Sequence, residues 1–531
     1  MRGRGTITRT AWATLALLAA CGGGGDGGGS TTLPPVVEPP AGRPTLPQTY
    51  RASGHAAAGD VFVHLFSWRW TDVASECEAV LGPAGVNAVQ VSPPQEHAVV
   101  TGRPWWERYQ PVSYALESRS GTAVQFADMV SRCAAAGVDV YVDAVVNHMT
   151  AGGGTGSGGT AYTKYSYPPL YAQADFHAQC DVSNYANPAN VQDCELVGLA
   201  DLHTGRAETR AKIADYLLSL SRMGVAGFRL DAAKHVQPAE LDSIVARVNR
   251  TLAAEGRARP YWFAEVIGSG GEGVVVRDYF GLGYASGGAA DITEFIFRGV
   301  GDKFSGAGGQ RISQLDPAGP NGSRFSAEAW GMMPGDKAVV FLQNHDTQRA
   351  GGLDYRDGDA YRLAHVWMLA QPYGHPKILS GYAFDLATQA GRDAGPPSAG
   401  GAILPVTCPA RMEDAAPGQW TCEHRDPMIL RMVAFRRAAG DVPVAHWWSN
   451  GASALAFARG DRGWVAISRE TAPVAATVQT GMAPGAYCDI LTGGRAGAAC
   501  AGTRVDVAAD GTVALDLAPN SAVAIVAASR L

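Results

Sequence analysis

From residue 60 onward, short apolar runs alternate with stretches that have helical spacing. The runs are rich in Val, Ile, Phe and Leu, which is typical of parallel strands covered on both faces. Eight strands are predicted: Val61–Phe66, Val86–Val91, Val138–Val146, Val225–Leu230, Tyr261–Val266, Asp291–Phe295, Ala338–Gln343 and Lys377–Ser380. The predicted helices include Ala123–Ala136, Thr209–Met223, Pro238–Ala254 and Asp359–Leu369. This α/β alternation predicts a (β/α)8 TIM barrel, with an open doubly wound sheet as the alternative.

Two parts of the chain break the alternation. One strand-to-helix connection is too long and is rich in Gly, Tyr, Asn and Asp, so we predict a small irregular domain inserted after the third strand. Near the C-terminus, short alternating segments recur about every ten residues, which predicts an antiparallel β-sandwich. The predicted boundaries are 50–146 and 203–439 for the two parts of the barrel (domain A), 147–202 for the insertion (domain B) and 440–531 for the β-sandwich (domain C).

The N-terminal segment is predicted to direct export. Three arginines precede the apolar stretch 11–18, and Leu18–Cys21 resembles a bacterial lipobox, in which Cys21 becomes lipidated. Residues 1–21 are therefore interpreted as a lipoprotein signal peptide; an ordinary secretory signal with an incidental cysteine is the alternative. Residues 22–49 are rich in Gly and then in Pro, which predicts a disordered linker. We expect an extracytoplasmic protein, lipid-anchored at the bacterial cell envelope or surface, or secreted.

The composition is that of a globular protein with a lightly charged surface. Of its 531 residues, 46% are hydrophobic and 17% charged, and the formal net charge is −6. The sequence has no basic stripe, which argues against a nucleic-acid partner. No apolar run of about 18 residues follows the N-terminus, so the lipid anchor is the only membrane attachment expected. We expect a monomer.

Cysteine usage fits export. Apart from Cys21, the chain has eight cysteines: Cys77, Cys133, Cys180, Cys194, Cys408, Cys422, Cys488 and Cys500. An even number in an exported chain suggests disulfides, with buried free thiols as the alternative. Eight cysteines allow about 105 connectivities, so their number does not fix the pairing. Sequence order offers one simple choice, in which each cysteine pairs with its neighbour along the chain.

Three carboxylates follow predicted strands. Arg229 and Asp231 lie two residues apart, so a strand places both on one face, where neither can remain unpaired in an apolar core. Glu265 and Asp346 stand at the ends of two later strands. The carboxyl ends of barrel strands form the active-site mouth, so Asp231, Glu265 and Asp346 are expected to converge there. Each acid alone would fit a structural salt bridge, but three together suggest carboxylate chemistry on a sugar.

The surroundings of these acids suggest different roles. The Arg229 cation should keep Asp231 ionised, as a nucleophile requires, whereas apolar neighbours favour the protonated form of Glu265, as a proton donor requires. Asp346, beside His345, is placed to hold sugar hydroxyls. Breaking a glycosidic bond with retention needs two carboxyl groups about 5–5.5 Å apart, one nucleophile and one acid/base.

Six motifs point to one family. They are Gly102–Pro111, Val142–His148, Leu196–Leu202, Gly227–His235, Phe263–Val266 and Gln343–Asp346. With these motifs the chain resembles the α-amylases of glycoside hydrolase family 13, of the animal-like bacterial type that is often chloride-dependent. The resemblance covers about residue 59 to the C-terminus, and the cysteine positions match the pairing in sequence order.

The resemblance implies roles for individual residues. Asp231 would be the nucleophile, Glu265 the general acid/base and Asp346 the transition-state stabiliser. The residues implied in substrate binding are Trp105, Trp106, Tyr109, Gln110, His148, Arg229, Lys234, His235 and His345. Core packing is the alternative for the aromatic residues, although the run from Trp105 to Tyr109 is hard to bury whole.

The resemblance also implies two bound ions. Calcium would be held between the barrel and the insertion by oxygen ligands. The implied ligands are the side chains of Asn147 and Asp201 and the main-chain carbonyls of Gln192 and His235; an Asn–Asp hydrogen bond without metal is the alternative. Chloride would be held by Arg229, Asn344 and Lys377, unless Lys377 instead pairs with a carboxylate. An anion there would favour the protonated form of Glu265.

The function implied is retaining endo-hydrolysis of α-1,4-glucosidic bonds in starch, glycogen and maltooligosaccharides. Two alternatives stay open. One is a maltooligosaccharide-forming or transglycosylating enzyme of the same family. The other is a non-catalytic starch-binding surface protein on the same fold, which would be expected to lack at least one of the three acids.

Overall fold

A computed structural model describes residues 60–268, 270–279, 290–320 and 324–531. The predicted signal peptide, the lipobox with Cys21 and the linker lie outside these ranges. None of the helices within them combines the length and the apolar character that a bilayer crossing requires.

Eight parallel strands close into a barrel. They are β1 (Phe62–Leu65), β2 (Ala88–Val91), β3 (Asp139–Val145), β4 (Gly227–Asp231), β5 (Tyr261–Ala264), β6 (Asp291–Glu294), β7 (Ala338–Val340) and β8 (His375–Ser380). Each strand pairs with its neighbours in chain order, and β8 pairs with β1. The predicted TIM barrel is therefore confirmed, and the alternative of an open sheet is wrong.

The barrel interior has an apolar layer below a polar layer. In the apolar layer the Phe62 ring of β1 lies 5.5 Å from Tyr141 of β3 and 5.6 Å from Phe263 of β5, and the Tyr141 and Phe263 rings lie 6.3 Å apart. One pleat further toward the carboxyl ends, β3 and β4 place Asp143 and Arg229 in register. Side chains alternate along a strand, so every second residue points into the barrel. The inward-facing residues are aromatic near the amino ends of the strands and charged near their carboxyl ends.

Helices cover the outside of the barrel. The longer ones are α1 (Trp70–Glu76), α2 (Ala123–Ala135), α3 (Ala207–Arg222), α4 (Pro238–Ala254), α5 (Gly299–Ser305), α6 (Asp359–Ala370) and α7 (Pro427–Ala439). Local sequence sets where they begin: Thr122 and Gln125 form a capping box at α2. Asp426 caps α7, which has Pro427 at its first position.

The chain between β3 and α3 forms an irregular insertion. It contains a short ladder of Gly154–Thr155 with Ala161–Tyr162 and a helix, Pro188–Gln192. Three contacts fix it beside the barrel mouth: the amides of Gly158 and Thr160 donate to Glu96 Oε1 at 3.0 and 2.9 Å, and the Leu202 amide donates to the Asn147 carbonyl at 2.9 Å.

The C-terminal part is an all-β domain of antiparallel sheets. Its longer strands are β9 (Val444–Ser449), β10 (Ala454–Arg459), β11 (Gly463–Ser468), β12 (Val474–Gln479), β13 (Gly485–Cys488), β14 (Arg504–Val507), β15 (Thr512–Leu517) and β16 (Ser521–Val526). The four-stranded sheet β9-β10-β11-β16 places Phe457 and Val465 against the barrel core. Its other face places Trp464 against Leu515 and Val478 of the second layer. This is the predicted antiparallel arrangement.

Four disulfides follow the order of the sequence. The pairs are Cys77–Cys133, Cys180–Cys194, Cys408–Cys422 and Cys488–Cys500. The first links α1 and α2 across 56 residues, whereas the other three close loops of 14, 14 and 12 residues. The alternative of free thiols is wrong for these eight cysteines.

Candidate active site

Arg229 lies at the centre of an acidic cluster in the barrel mouth. Its Nη1 contacts Asp143 Oδ1 at 2.5 Å and Asp231 Oδ1 at 2.7 Å. Its Nη2 contacts Glu265 Oε1 at 2.5 Å, and Glu265 Oε2 accepts a hydrogen bond from the Ala232 amide at 3.0 Å. The structure therefore brings Asp231 and Glu265, predicted from two separate strands, onto one guanidinium.

The cluster has more negative than positive charge. Burial raises the pKa of Asp231 well above its usual range; Arg229 opposes this, while Glu265 and Asp143 add to it. The prediction that Arg229 keeps Asp231 ionised is therefore incomplete, because three carboxylates share that cation. Since one guanidinium cannot balance three carboxylates, the cluster favours retention of a proton, which a general acid must supply.

Asp346 lies in the turn after β7 and is more open than the other acids, with a side chain that is 35% exposed. Its Oδ2 lies 3.3 Å from His345 Nε2. Burial, reinforced by Glu265 and opposed by Arg229 and Arg349, raises the pKa of Asp346 to about 7. Asp346 is therefore close enough to Glu265 and Arg229 for their charges to act on it.

The aromatic residues after β2 line one side of the mouth. Trp105, Trp106 and Tyr109 lie on a single 3-10 turn, Trp105–Tyr109. The Tyr109 hydroxyl donates to Asp143 Oδ2 at 2.8 Å, and its ring stacks on His345 with centroids 5.2 Å apart. Trp105 packs edge-on against His345 at 5.6 Å and stays half-buried. The turn thus places these rings beside His345 and Asp143 at the mouth.

The remaining predicted substrate residues lie on the side of the insertion. His148 Nε2 lies 2.8 Å from the Tyr109 carbonyl, and burial lowers the pKa of His148 to about 4, so it is neutral. Gln110 Oε1 accepts from the Ala151 amide at 3.2 Å. Lys234 Nζ lies 2.6 Å from Glu272 Oε2, and His235 Nδ1 lies 2.8 Å from the Val191 carbonyl.

Comparison with known proteins gives the family. The profile described as "Alpha amylase, C-terminal all-beta domain" matches residues 447–528. The α-amylase of Tribolium castaneum is 42% identical over 480 residues, which cover 88% of this chain and 93% of that protein. The chain belongs to the α-amylase family. The pancreatic α-amylase of Sus scrofa is 41% identical over 501 residues, covering 88% of this chain and 94% of that protein.

Solved structures of α-amylases share the fold. Wild-type α-amylase I of Eisenia fetida matches with a TM-score of 0.78 and 37% identity, over 88% of this chain and 97% of that one. A mutant of the Eisenia enzyme in complex with maltohexaose matches with a TM-score of 0.79 and 37% identity, over 90% and 99% of the two chains.

In this member of the α-amylase family, Asp201 and Asn147 lie side by side between the barrel and the insertion, where calcium is expected. Asp201 Oδ2 lies 2.7 Å from His177 Nδ1, but its Oδ1 is buried with no hydrogen-bond partner among the residues described. Burial raises the pKa of Asp201 to about 7. The Leu202 amide bonds the Asn147 carbonyl, so Asn147 lies beside Asp201. A buried, partly unsatisfied carboxylate beside an amide fits a hard cation.

The candidate calcium site contains few acidic or sulfur ligands. Within the described ranges, no group of three or more His, Cys, Asp or Glu side chains could hold a metal. The implied set of Asn147, Gln192, Asp201 and His235 contains one carboxylate, one amide and two main-chain carbonyls. Gln192 is the last residue of the helix Pro188–Gln192. The His235 ring contacts the carbonyl of Val191 in the same helix. The main-chain carbonyls of Gln192 and His235 therefore belong to segments that contact each other.

Lys377 is, with Arg229, one of two buried cations on the barrel strands that are predicted for the anion site. Lys377 of β8 is 1% exposed, and its Nζ lies 4.8 Å from the centre of the Phe341 ring. Burial and the Arg229 cation, opposed by Asp143 and Glu265, lower the pKa of Lys377 to about 7. Asn344 accepts hydrogen bonds from the Asp346 and Thr347 amides at 3.0 and 2.7 Å. The mutual repulsion of the two cations fits an anion between them.

Two further residues lie at the site although they are not among the predicted site residues. Asp143 bonds both Arg229 and Tyr109, and its place on β3 in the same motif as His148, Val142–His148, is the sequence feature that could have identified it. Arg349 contacts the carbonyl of His345. Its neighbours come from separate parts of the chain, so no local pattern points to it.

Proposed function

We propose that the protein hydrolyses internal α-1,4-glucosidic bonds of starch, glycogen and maltooligosaccharides with retention of configuration. The observation that carries this proposal is the double contact of Arg229 with Asp231 and Glu265 at the mouth of a barrel of the α-amylase family. A shared guanidinium brings the two carboxyl groups close together, which supports the short separation that retaining chemistry uses.

The reaction would take two steps. Glu265 would donate its proton to the glycosidic oxygen while an Asp231 carboxylate oxygen bonds the anomeric carbon, and the leaving chain would depart with a free hydroxyl. Ionised Glu265 would then take a proton from water as the water oxygen attacks the same carbon, which releases Asp231. Each step inverts the anomeric carbon, so the product retains its configuration.

The other mouth residues would bind and orient the sugar. Asp346, the more open acid, is suited to accept sugar hydroxyl protons and to stabilise positive charge on the ring. Neutral His148 and His345 can donate hydrogen bonds without adding a cation beside Glu265. Trp105, Trp106 and Tyr109 offer aromatic faces for sugar rings. Gln110, Lys234 and His235 would contribute further polar contacts.

Calcium and chloride are part of this proposal. Asn147, Asp201 and the carbonyls of Gln192 and His235 would hold calcium, which when bound supplies positive charge that ties the insertion to the loop after Asp231. Arg229, Asn344 and Lys377 would hold chloride. Negative charge there would offset the two cations.

We also propose that the protein is exported and held by a lipid on Cys21, with residues 22–49 as a flexible tether, and that it acts as a monomer. Four disulfides support an oxidising compartment.

Metabolic labelling with a palmitate analogue tests the anchor: wild type should incorporate the label and Cys21→Ala should not. Equal labelling of both would rule the anchor out.

Glu265→Gln tests the catalytic assignment. The amide cannot donate a proton as an acid does, so kcat on soluble starch should fall by about 10³-fold or more while starch binding persists. Glu255→Gln, which changes an exposed acid paired with Arg222, is the matched control and should retain activity. Unchanged turnover in Glu265→Gln would remove Glu265 from this role.

The course of product formation separates the alternatives. A broad early ladder of maltooligosaccharides supports endo-hydrolysis, whereas one dominant product from the start would indicate a maltooligosaccharide-forming enzyme. Products longer than a supplied maltohexaose would indicate transglycosylation. Wild type that binds starch without releasing reducing ends would indicate a binding protein.

A further inference from the structure

Arg349 is a buried cation next to the active-site mouth. It lies on the 3-10 turn Thr347–Ala350, three residues after Asp346, and is 8% exposed. Its guanidinium donates to the carbonyl of His345, to the carbonyl of Arg392 at 3.0 Å and to the Tyr382 hydroxyl at 3.0 Å. These acceptors are neutral oxygens, so the hydrogen bonds do not neutralise its positive charge, and the nearby Asp346 is a carboxylate on which that charge acts.

Four aromatic rings surround the same guanidinium. Its Cζ lies 4.4 Å from the ring centre of Phe384 and 4.6 Å from that of Trp105, with Phe66 and Tyr382 each at 5.6 Å. Contacts of this kind orient rings as well as attract them, and they strengthen when the cation is desolvated. A planar guanidinium can both stack on rings and hold three acceptors, which an ammonium group cannot do.

These contacts link two parts of the site. Trp105 belongs to the turn after β2, whereas His345 and Asp346 belong to the turn after β7. The His345 ring lies between Phe66, at 4.7 Å, and Tyr109, at 5.2 Å. Arg349 holds the His345 main chain and stacks on Trp105, so it fixes the distance between the aromatic side of the mouth and Asp346.

We propose that Arg349 is a positioning residue, which sets Trp105 and the His345–Asp346 turn in the geometry that the transition state requires. This inference rests on the proposed function, because it assigns Arg349 to the same reaction. Its contribution should appear mainly in kcat, since misplacement of a stabilising carboxylate by about 1 Å costs on the order of 10²-fold in rate.

Arg349→Gln and Arg349→Lys test the proposal on maltohexaose and soluble starch. The control is Arg356→Gln, because Arg356 also stacks on Phe384, at 4.8 Å, and bonds the Phe384 carbonyl at 2.8 Å without contacting Trp105. We expect Arg349→Gln to lower kcat by about 10- to 100-fold with KM changed less, and Arg349→Lys to recover part of that loss. Arg356→Gln should stay within about twofold of wild type in kcat and KM.

Equal kcat in Arg349→Gln and Arg356→Gln would overturn the proposal. So would a loss of activity in Arg349→Gln that is fully explained by a smaller fraction of folded protein.

If Arg349→Gln does not fold, Tyr382→Phe replaces it as the test, because this change removes one hydrogen-bond acceptor of Arg349 and keeps the aromatic ring. A lower kcat at an unchanged Tm would support the proposal, and an unchanged kcat would refute it.

Wild type without activity on starch would contradict the proposed function itself, whereas active wild type with unaffected Arg349 variants would contradict only this inference.

Discussion

Replacing Glu76 with Gln should destabilise the fold at neutral pH, and the loss should disappear in acid. Glu76 ends α1 and is 2% exposed. Its Oε1 lies 2.7 Å from His424 Nε2 and 2.7 Å from Arg425 Nε, and Arg425 Nη2 bonds its Oε2. Because His424 and Arg425 directly precede α7, this cluster joins the first helix of the barrel to the last.

The magnitude follows from the pKa of Glu76. Burial alone would raise it, but the hydrogen bonds from Arg425 and His424 outweigh burial and lower the pKa of Glu76 from 4.5 to about 2. A depressed folded-state pKa stabilises the fold above the unfolded-state pKa, and this stability is lost as the pH falls toward the folded-state value. A difference of about 2.5 pKa units corresponds to about 3 kcal/mol, fully present at pH 7 and fading between about pH 4.5 and 2.

Urea unfolding of wild type and Glu76→Gln from pH 7 to pH 3, followed by far-UV circular dichroism, measures this difference. Glu78→Gln is the control: Glu78 lies two residues further along, with a side chain 47% exposed in a surface pair with Arg132, and such pairs contribute little. The reasoning fails if Glu76→Gln costs less than about 1 kcal/mol at pH 7, or if its cost is the same at every pH.

Three further predictions concern other parts of the molecule. Replacing Cys77 and Cys133 together by Ala should cost about 4 kcal/mol in urea unfolding, because their disulfide closes a loop of 56 residues; a loss near zero would show that the loop is restrained without it. Added calcium should raise the Tm of chelator-treated wild type but not of Asp201→Asn, whereas an identical rise in both proteins would place calcium elsewhere. Chloride should increase starch hydrolysis by dialysed wild type but not by Lys377→Gln, and a retained response in the variant would exclude Lys377 from the anion site.

The barrel was predictable because its strands are buried on both faces, so their apolar runs stand out in the sequence. The strand ends were less predictable. β7 was expected to reach Gln343 but ends at Val340, where it pairs with Pro376, which has no amide hydrogen with which to continue the ladder. β8 was expected to begin at Lys377 but begins at His375, because pairing with β7, rather than composition, defines its start.

Within the site, the sequence predicts only those relations that depend on spacing along a single strand. Spacing of two residues correctly places Arg229 and Asp231 on one face of β4. It does not predict that Arg229 also contacts Asp143 and Glu265, because those contacts depend on the register between neighbouring strands. The environment of Arg349 was beyond sequence reasoning for the same reason, since its aromatic neighbours lie in segments far apart along the chain.

The order of the disulfides has a consequence for biosynthesis. The eight cysteines of the described chain pair first with second, third with fourth, and so on, so a polypeptide oxidised in the order in which it is synthesised meets every native partner before any later cysteine has emerged. A non-native pair would require a cysteine to remain reduced after its native partner has emerged. The crosslinks can therefore form in sequence during translocation, with little demand for an isomerase to reshuffle them.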